Sequence, residues 1–319
     1  MDGKNKLLNF RSSYLGATKQ LPFLIKEVRK IMPYVEMTVF YSDCADLSRC
    51  EVLEKDLERE GLAGEISISK SKDFCWSPDS LEVSFGRQWT DHDRTFSRIS
   101  FHIDSLKFEK RKLLDDGEVL EMKKKYFIES GNVVLWGSVN WGEEFETTAN
   151  AVKKFPKTVQ SIIVPRGGLK SMYKVLERQG VHFSTDECLD GRSDCLVITQ
   201  NGILDRLYSI CDTAIIGGGQ NPLEPAFYGK RTLVPFRGSN NEVAYEGLEN
   251  SGLLKRIDKG SIVDEVLKDV SPVIMNEYKE KAQNFIESQQ GVAKKYAEVI
   301  QLSLYGKMDY YKWKELMVK

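Results

Sequence analysis

The stretch from Asp212 to Phe236 constrains the fold more than any other part of this sequence. It begins with an apolar, partly β-branched run, Thr213 to Ile216, which predicts a buried strand. Three glycines follow, and then Asn221 and Pro222, which favour the start of a helix. Gly229 predicts the end of that short helix, before a second apolar run. The order strand, glycine loop, helix, strand indicates a parallel α/β sheet.

The glycine loop is a candidate anion site. A loop of this kind before a helix can present free N–H groups at the carboxyl end of a sheet, which suits a phosphate or a carboxylate. Glu224 falls in the first turn of the predicted helix, where it could accept hydrogen bonds from ribose hydroxyls. The alternative is a tight turn without a ligand, because the spacing is neither the dinucleotide fingerprint nor a Walker loop.

Strand and helix patterns alternate along most of the chain. Short apolar or alternating runs predict strands, and apolar residues at helical spacing predict helices. Such alternation predicts doubly wound parallel sheets, whose ligands bind at the carboxyl ends of the strands. The predicted strands are 7–12, 35–41, 65–69, 81–85, 99–103, 133–139, 162–165, 181–184, 196–199, 213–216, 232–236 and 253–257. The predicted helices are 22–32, 50–61, 107–125, 142–155, 169–179, 202–211, 222–229, 242–250, 261–270 and a single long helix over 272–304.

A chain of 319 residues predicts two domains. We expect an α/β domain over 1–128, a second α/β domain over 129–272, and C-terminal helices over 273–319 that pack back on the first domain. The aromatic and basic segment after Gly306 has an alternative place, at a membrane interface.

The stretch 70–98 has no clear periodicity. Four of its side chains could line a pocket, although scattered residues of this kind more often serve packing. They are Trp76, Trp89, His92 and Asp93.

Composition excludes several classes of protein. The net charge of −1 argues against bulk binding to nucleic acid. Six cysteines without a C-x-x-C pair and only three histidines argue against a zinc site and favour free thiols in a reducing compartment. The polar start and the lack of a long apolar run argue against a signal peptide and a transmembrane helix. We therefore expect a cytoplasmic protein, with peripheral contact with the cytoplasmic face of an inner membrane as an extension of that expectation.

Several motifs resemble one enzyme family. Gly217-Gly218 followed by Gln220-Asn-Pro-Leu-Glu-Pro-Ala226 resembles the G-G-H-N-P-L-E-P-A signature of the Kdo (3-deoxy-D-manno-octulosonic acid) transferases. These are GT-B glycosyltransferases that use CMP-Kdo. Four further segments resemble this family in the same order along the chain. They are Pro22–Val39 for its first helix and second strand, Ser105–Glu109 for G-N-L-K-F-D, Ser138–Glu144 for S-T-H-E-G-E-E, and Ile163–Arg166 for V-P-R-H-P-E.

The resemblance implies a fold and a set of roles. The implied fold has two Rossmann-type doubly wound domains that face a cleft, the first one reduced. The implied ligands are a CMP-sugar, which is a substrate, and a lipid or glycan acceptor, without a cofactor or metal. A guanidinium at Arg166 would bind the phosphate or carboxylate of the nucleotide sugar, although it could instead be an ordinary surface arginine. The implied residues on the nucleotide-sugar side are Ser138, Asn140, Arg166, Gly217, Gly218, Gln220, Asn221 and Glu224, and those on the acceptor side are Gly16, Lys107 and Glu143.

The chain departs from the family where the acceptor is activated. The family has a glutamate after the glycine of its first strand-to-helix turn, the presumed general base, and Ala17 stands there in this chain. Alanine cannot accept a proton, so a base has to come from elsewhere. Asn140 and Gln220 replace histidines of the family motifs, and Gly167-Gly168 replaces His-Pro after the arginine. The carboxylates that could substitute for the base are Asp43, Asp46, Asp91 and Asp93, and the sequence does not choose among them.

Three functions follow from these observations. The first is transfer of Kdo or a related acidic sugar from a CMP donor to a lipid or glycan acceptor. The second is a catalytically inactive relative that binds a nucleotide sugar or a partner protein, which Ala17 favours. The third is a GT-B epimerase or a transferase with a UDP-sugar donor.

Overall fold

The chain forms two compact units, residues 1–111 with 289–319, and residues 112–288. The structure is a computed structural model, and several predicted features lie outside the residues it describes: Gly16, Ala17, Asp43, Asp46, Trp76, Trp89, His92, Lys107, Gln220, Asn221 and the segment after 305. It describes residues 7–12, 21–41, 47–64, 66–69, 80–85, 98–101, 113–128, 131–140, 142–191, 193–200, 202–218, 222–236, 242–268, 271–288 and 290–305.

The first unit is built on a parallel sheet of five strands in the order β3-β2-β1-β4-β5. These strands are β1 (Leu7–Ser12), β2 (Glu36–Tyr41), β3 (Ser67–Ser69), β4 (Ser80–Phe85) and β5 (Arg98–Phe101). Its described helices are α1 (Leu21–Ile31), α2 (Leu47–Arg59) and, from the end of the chain, α11 (Val292–Leu304). The chain therefore returns to this unit after completing the second one.

An apolar core holds the first unit together. Helix α1 places Leu24, Ile25 and Val28 on one buried face, which is the 3.6-residue spacing of an amphipathic helix. Helix α11 buries Tyr296 and Ile300 in the same cluster as β1 and α1. This packing gives the sheet a covered face, as a parallel sheet requires.

The second unit has a parallel sheet of seven strands in the order β12-β11-β10-β6-β7-β9-β8. Its strands are β6 (Asn132–Val139), β7 (Val159–Pro165), β8 (Phe183–Thr185), β9 (Cys195–Val197), β10 (Thr213–Ile216), β11 (Arg231–Val234) and β12 (Leu254–Arg256). Its described helices are α3 (Asp116–Lys125), α4 (Glu143–Lys154), α5 (Leu169–Gln179), α6 (Leu204–Leu207), α7 (Leu223–Phe227), α8 (Glu242–Asn250), α9 (Ile262–Leu267) and α10 (Pro272–Ser288).

The strand order puts a topological switch between β6 and β10. Strands β7, β9 and β8 lie on one side of β6, and β10, β11 and β12 lie on the other. In open α/β sheets the crevice at such a switch, beyond the carboxyl ends of the strands, is where ligands bind. Both strands are buried almost throughout, so only the loops at their ends are available for a site.

Two predicted helices are wrong in their extent. The single helix over 272–304 is two helices, because Gly291 takes a left-handed conformation (φ 76°) immediately before α11. The stretch 202–211 contains only the four-residue helix α6 and a 3₁₀ turn over Tyr208–Ile210. In addition, α7 begins at Leu223, with Pro222 in the cap position. None of the described helices is long and apolar enough to span a lipid bilayer.

Candidate functional site

The crevice at the switch is bounded by the loops that follow β6 and β10. Ile216, the last residue of β10, pairs with Gly137 of β6. One residue further on, the register of β6 is irregular, and Ser138 has a φ of 55°. A left-handed conformation is uncommon for a serine and costs about 1–2 kcal/mol, so the surrounding structure has to hold it. Such strain is often found at functional sites.

Glu144 joins the two loops. It lies in the first turn of α4, and its two carboxylate oxygens accept hydrogen bonds from different strands' loops. Oε2 accepts from the backbone N–H of Asn140 at 2.7 Å, and Oε1 accepts from the backbone N–H of Gly218 at 2.9 Å. Hydrogen bonds from N–H groups to a carboxylate are stronger than those between neutral groups. One side chain therefore fixes both walls of the crevice.

Gly217 allows the two loops to approach. A Cβ at this position would lie 2.5 Å from the carbonyl oxygen of Ser138 and 2.8 Å from Oε2 of Glu144. Both distances are too short for real contacts, so only glycine fits here. The Gly217 N–H donates to the carbonyl of Gly137 at 3.1 Å.

These bonds correct one expectation for Gly217 and Gly218, the two residues of the glycine loop that the structure describes. The glycine loop was expected to offer free N–H groups to a bound anion. In the structure the N–H of Gly217 is bonded to Gly137, and the N–H of Gly218 is bonded to Glu144. A carboxylate does occupy the loop, but it belongs to the chain itself.

Arg166 is the exposed cation beside the crevice. It follows β7, and its backbone N–H donates to the carbonyl of Val139 at 2.9 Å, so its position is tied to the loop after β6. Its guanidinium makes no ion pair or hydrogen bond with any part of the chain that the structure describes. A guanidinium in this state keeps all five N–H donors available for a phosphate or a carboxylate.

Glu224 lies on the same side of the sheet, close to Tyr208. Glu224 is half-buried in α7. Tyr208 is fully buried, and its pKa is raised well above the usual value, first by burial and next by the negative charge of Glu224. The Tyr208 hydroxyl lies against Gly137 of β6, where a side chain would overlap it. Glu224 thus lies in the helix that follows β10 and the glycine loop, and its charge acts on Tyr208.

Glu143 contacts a residue that follows β12, away from the switch between β6 and β10. Its carboxylate pairs with Lys259 Nζ at 2.5 Å, and that ammonium lies 6.0 Å from the ring centre of Phe236. Phe236 follows β11, and Lys259 follows β12. The predicted residues thus divide into two groups: Ser138, Asn140, Gly217 and Gly218 meet at the switch, whereas Glu143 lies toward β12.

Sequence reasoning missed three residues of this edge. Glu144, Tyr208 and Lys259 were not predicted as site residues. The signal for Glu144 was the adjacent pair of carboxylates in the S-V-N-W-G-E-E segment, but the sequence does not say which one faces the glycine loop. Neither Tyr208 nor Lys259 belongs to a motif.

The matches to known proteins are matches of three-dimensional structure alone. No protein-family model and no curated protein matches this chain. Among solved structures, Anabaena HepE in complex with UDP-glucose matches with a TM-score of 0.58 and 12% identity over 94% of this chain and 99% of that chain. A UDP-N-acetylglucosamine 2-epimerase matches with a TM-score of 0.55 and 14% identity over 96% of this chain and 98% of that chain.

A third solved structure covers less of the chain. The C-terminal CMP-Kdo binding domain of WaaA from Acinetobacter baumannii matches with a TM-score of 0.44 and 15% identity over 58% of this chain and 96% of that chain. The two likenesses that extend over nearly the whole chain, together with the two parallel sheets, show that this protein has a GT-B fold with two Rossmann-like domains.

Proposed function

We propose that this chain is a glycosyltransferase that transfers Kdo or a related acidic sugar from a CMP donor to a lipid or glycan acceptor. The nucleotide sugar would bind at the carboxyl edge of the second unit's sheet. The observation that carries the proposal is the exposed guanidinium of Arg166 next to the crevice between β6 and β10, which has no partner among the described residues. The two loops of that crevice carry the segments that resemble the Kdo transferases.

The residues suit a doubly anionic ligand. A CMP-linked acidic sugar carries one phosphate and one carboxylate, and a guanidinium can bind either with two parallel hydrogen bonds. We assign the ribose hydroxyls to Glu224, because it lies in the first turn of α7, the helix that follows β10 and the glycine loop. Because the N–H groups of Gly217 and Gly218 are bonded to Gly137 and Glu144, we assign the anion to Arg166 rather than to these two N–H groups.

The described residues account for binding on the nucleotide side only. Transfer also needs a base for the acceptor hydroxyl and stabilisation of positive charge at the anomeric carbon. The proposed acceptor rests on the resemblance to the family. A cytoplasmic location and contact with a membrane surface belong to the same proposal, and they rest on the cysteine pattern and on the aromatic and basic segment after Gly306.

Two alternatives have specific support. The solved structures that match over most of the chain include one in complex with UDP-glucose and one of a UDP-N-acetylglucosamine 2-epimerase, which favours a UDP-sugar transferase or an epimerase. Ala17, which stands where the family has its presumed base, favours a catalytically inactive protein that binds a nucleotide sugar or a partner protein.

Calorimetry distinguishes the nucleotides. Purified protein is titrated with CMP, CDP, UMP and UDP. The proposal predicts that CMP binds best, and that Arg166→Ala weakens this binding by about tenfold or more, since a charged hydrogen bond contributes about 1.5–3 kcal/mol. Lys174→Ala is the matched control, because this lysine is exposed on α5, the helix that follows the Arg166 loop. A preference for UDP would contradict the CMP assignment.

A second assay separates an enzyme from a binding protein. Incubation with CMP-Kdo should release CMP faster when a lipid or glycan acceptor is present. Binding of CMP-Kdo without any release, with every acceptor class tried, would favour the inactive relative.

A further inference from the structure

We propose that Glu144 is a positioning residue whose carboxylate clamps the loops after β6 and β10 together and so sets the width of the nucleotide-sugar crevice. No motif assigns it this role. The inference rests on the proposed function for its ligand, but its structural half can be tested without any ligand.

The first support is that one carboxylate satisfies two separate segments. The N–H groups of Asn140 and Gly218 lie far apart in the sequence, yet each donates to a different oxygen of Glu144. An ionised carboxylate only accepts hydrogen bonds, so it suits a place where two donors converge. Glu144 lies in the first turn of α4, where helices commonly carry acidic side chains.

The second support is the strain that surrounds this contact. Ser138 holds a left-handed conformation at the irregular end of β6, and its carbonyl lies where a side chain at 217 would be. Neither feature is needed for an ordinary strand-to-helix turn. Both are consistent with two loops that are held closer than side chains would normally allow.

The third support is the position of Arg166. Its backbone N–H donates to the carbonyl of Val139, the last residue of β6, directly before Asn140, whose N–H Glu144 holds. A shift of the loop after β6 would therefore move Arg166 as well. The clamp thus acts on the anion-binding side chain through the backbone, without touching the ligand.

The test uses the full chain and three variants. Glu144→Ala removes both acceptors. Glu144→Gln keeps one acceptor oxygen and places an NH₂ group opposite the other N–H, where two donors face each other. Glu146→Ala is the control, because Glu146 lies on the same helix but pairs with Arg178 and Gln179.

The first readout is hydrogen exchange of single amides, measured by NMR without nucleotide. We expect the exchange of Asn140 and Gly218 to rise about tenfold or more in Glu144→Ala, which corresponds to about 1.4 kcal/mol. In Glu144→Gln only one of the two amides should exchange faster. The control should leave both unchanged. Unchanged exchange at both amides in the Gln variant would overturn the clamp, even if the Ala variant failed to fold.

The second readout is the affinity for CMP. We expect Glu144→Gln to weaken binding about tenfold while the midpoint of denaturation stays within the range of the control. A merely structural role would lower the midpoint and leave the affinity of the folded protein unchanged, and that result would overturn the positioning role. If the wild type binds neither CMP nor UDP, the proposed function fails, while the exchange experiment still decides whether Glu144 clamps the loops.

Discussion

Gly217 is the position at which a single atom decides whether the crevice can form. A Cβ on this residue would meet the backbone carbonyl of Ser138 and the carboxylate at the end of the Glu144 side chain. A backbone carbonyl in an irregular strand end and a carboxylate with two hydrogen bonds are both fixed. The site therefore depends on the absence of a side chain as much as on the presence of one.

Replacing Gly217 by alanine should therefore widen the crevice. We expect Gly217→Ala to destabilise the protein by about 1–3 kcal/mol, as overpacking usually does, and to weaken binding of CMP. Chemical denaturation and calorimetry measure the two effects. Gly247→Ala is the control, because this glycine lies inside α8 with open space around it and should gain about 0.5–1 kcal/mol. Equal stability of the two variants would contradict the packing described here.

Individual site residues were only partly predictable. The motif resemblance predicted Ser138, Gly217, Gly218 and Arg166 as site residues, and the structure places them at or next to the carboxyl ends of β6, β7 and β10. The resemblance did not separate Glu143 from Glu144, since neighbours on a helix differ by about 100° in direction and only the packing of the helix decides which one faces the loop. The pairing of Glu143 with Lys259 joins segments that are distant in the sequence, and no local pattern encodes that.

At the scale of elements, the ends of the strands are fixed by carboxylates. Asp186 follows β8, and it accepts three hydrogen bonds, from Thr199 N and Oγ1 at 2.8 Å and from Gln200 N at 3.0 Å. Burial alone would raise the pKa of Asp186, but these bonds to the loop after β9 outweigh it and the net pKa is lowered below 3.8. The neighbouring strands β8 and β9, at one side of the sheet, are thus joined at their carboxyl ends.

The lowered pKa predicts how stability depends on pH. A carboxylate with a lowered folded pKa contributes stability above its unfolded pKa of 3.8 and loses it as the pH falls through the folded pKa. We expect Asp186→Asn to lower the free energy of unfolding by about 1 kcal/mol at pH 7. This is the low end of the range for such bonds, because solvent screens a partly exposed group. The loss should be smaller below pH 3.8. Urea denaturation at pH 7 and pH 3 measures this difference, with the exposed neighbour in Glu187→Gln as control. An equal cost at both pH values would contradict the assignment.

Helix α11 shows where the sequence pattern was insufficient. The apolar spacing continues from 272 to 304, so it predicts one helix, and only the left-handed Gly291 reveals the break. A glycine tolerates both a helical and a left-handed conformation, so its presence alone does not decide. The tertiary packing decides, because α11 buries one face in the core of the first unit.

That packing predicts a large effect of truncation in α11. Ile300 has no exposed surface and belongs to the core cluster of the first unit. We expect Ile300→Ala to destabilise the protein by about 2–5 kcal/mol, whereas Lys294→Ala on the exposed side of the same helix should change stability by less than about 0.5 kcal/mol. Thermal denaturation of both variants gives the comparison. A small effect at Ile300 would mean that α11 is not part of that core.

At the scale of the molecule, alternation of strands and helices was enough to predict doubly wound parallel sheets, whereas the GT-B fold was predicted from the resemblance to the Kdo transferases. Parallel strands are joined by crossover connections that are usually helices. The sequence therefore alternates between strand patterns and helix patterns. The division into units was less accessible. From the sequence, the domain boundaries were predicted after residues 128 and 272. The compact units of the structure divide after residues 111 and 288. The difference concerns α3 and α10, whose surfaces give little indication of the sheet they belong to.

This division can be tested with two fragments. Residues 112–288 contain all seven strands of the second sheet together with α3 and α10, so we expect this fragment to unfold cooperatively when expressed alone. The shorter fragment 129–272 lacks the buried side chains of Met122, Tyr126 and Ala282. Its free energy of unfolding should be lower by several kcal/mol, because each large buried side chain that is lost costs about 2–5 kcal/mol. Equal stability of the two fragments in urea would contradict the compact units.

The central claim is that the crevice between β6 and β10 binds an anionic cytidine nucleotide. A crystal structure of the full chain with CMP tests it most directly. We expect the phosphate within hydrogen-bond distance of the Arg166 guanidinium and the ribose hydroxyls beside the Glu224 carboxylate, with Glu144 still bonded to Gly218. A nucleotide bound at the opposite, amino edge of the same sheet, or a Glu224 side chain turned away from a nucleotide in the crevice, would contradict the account.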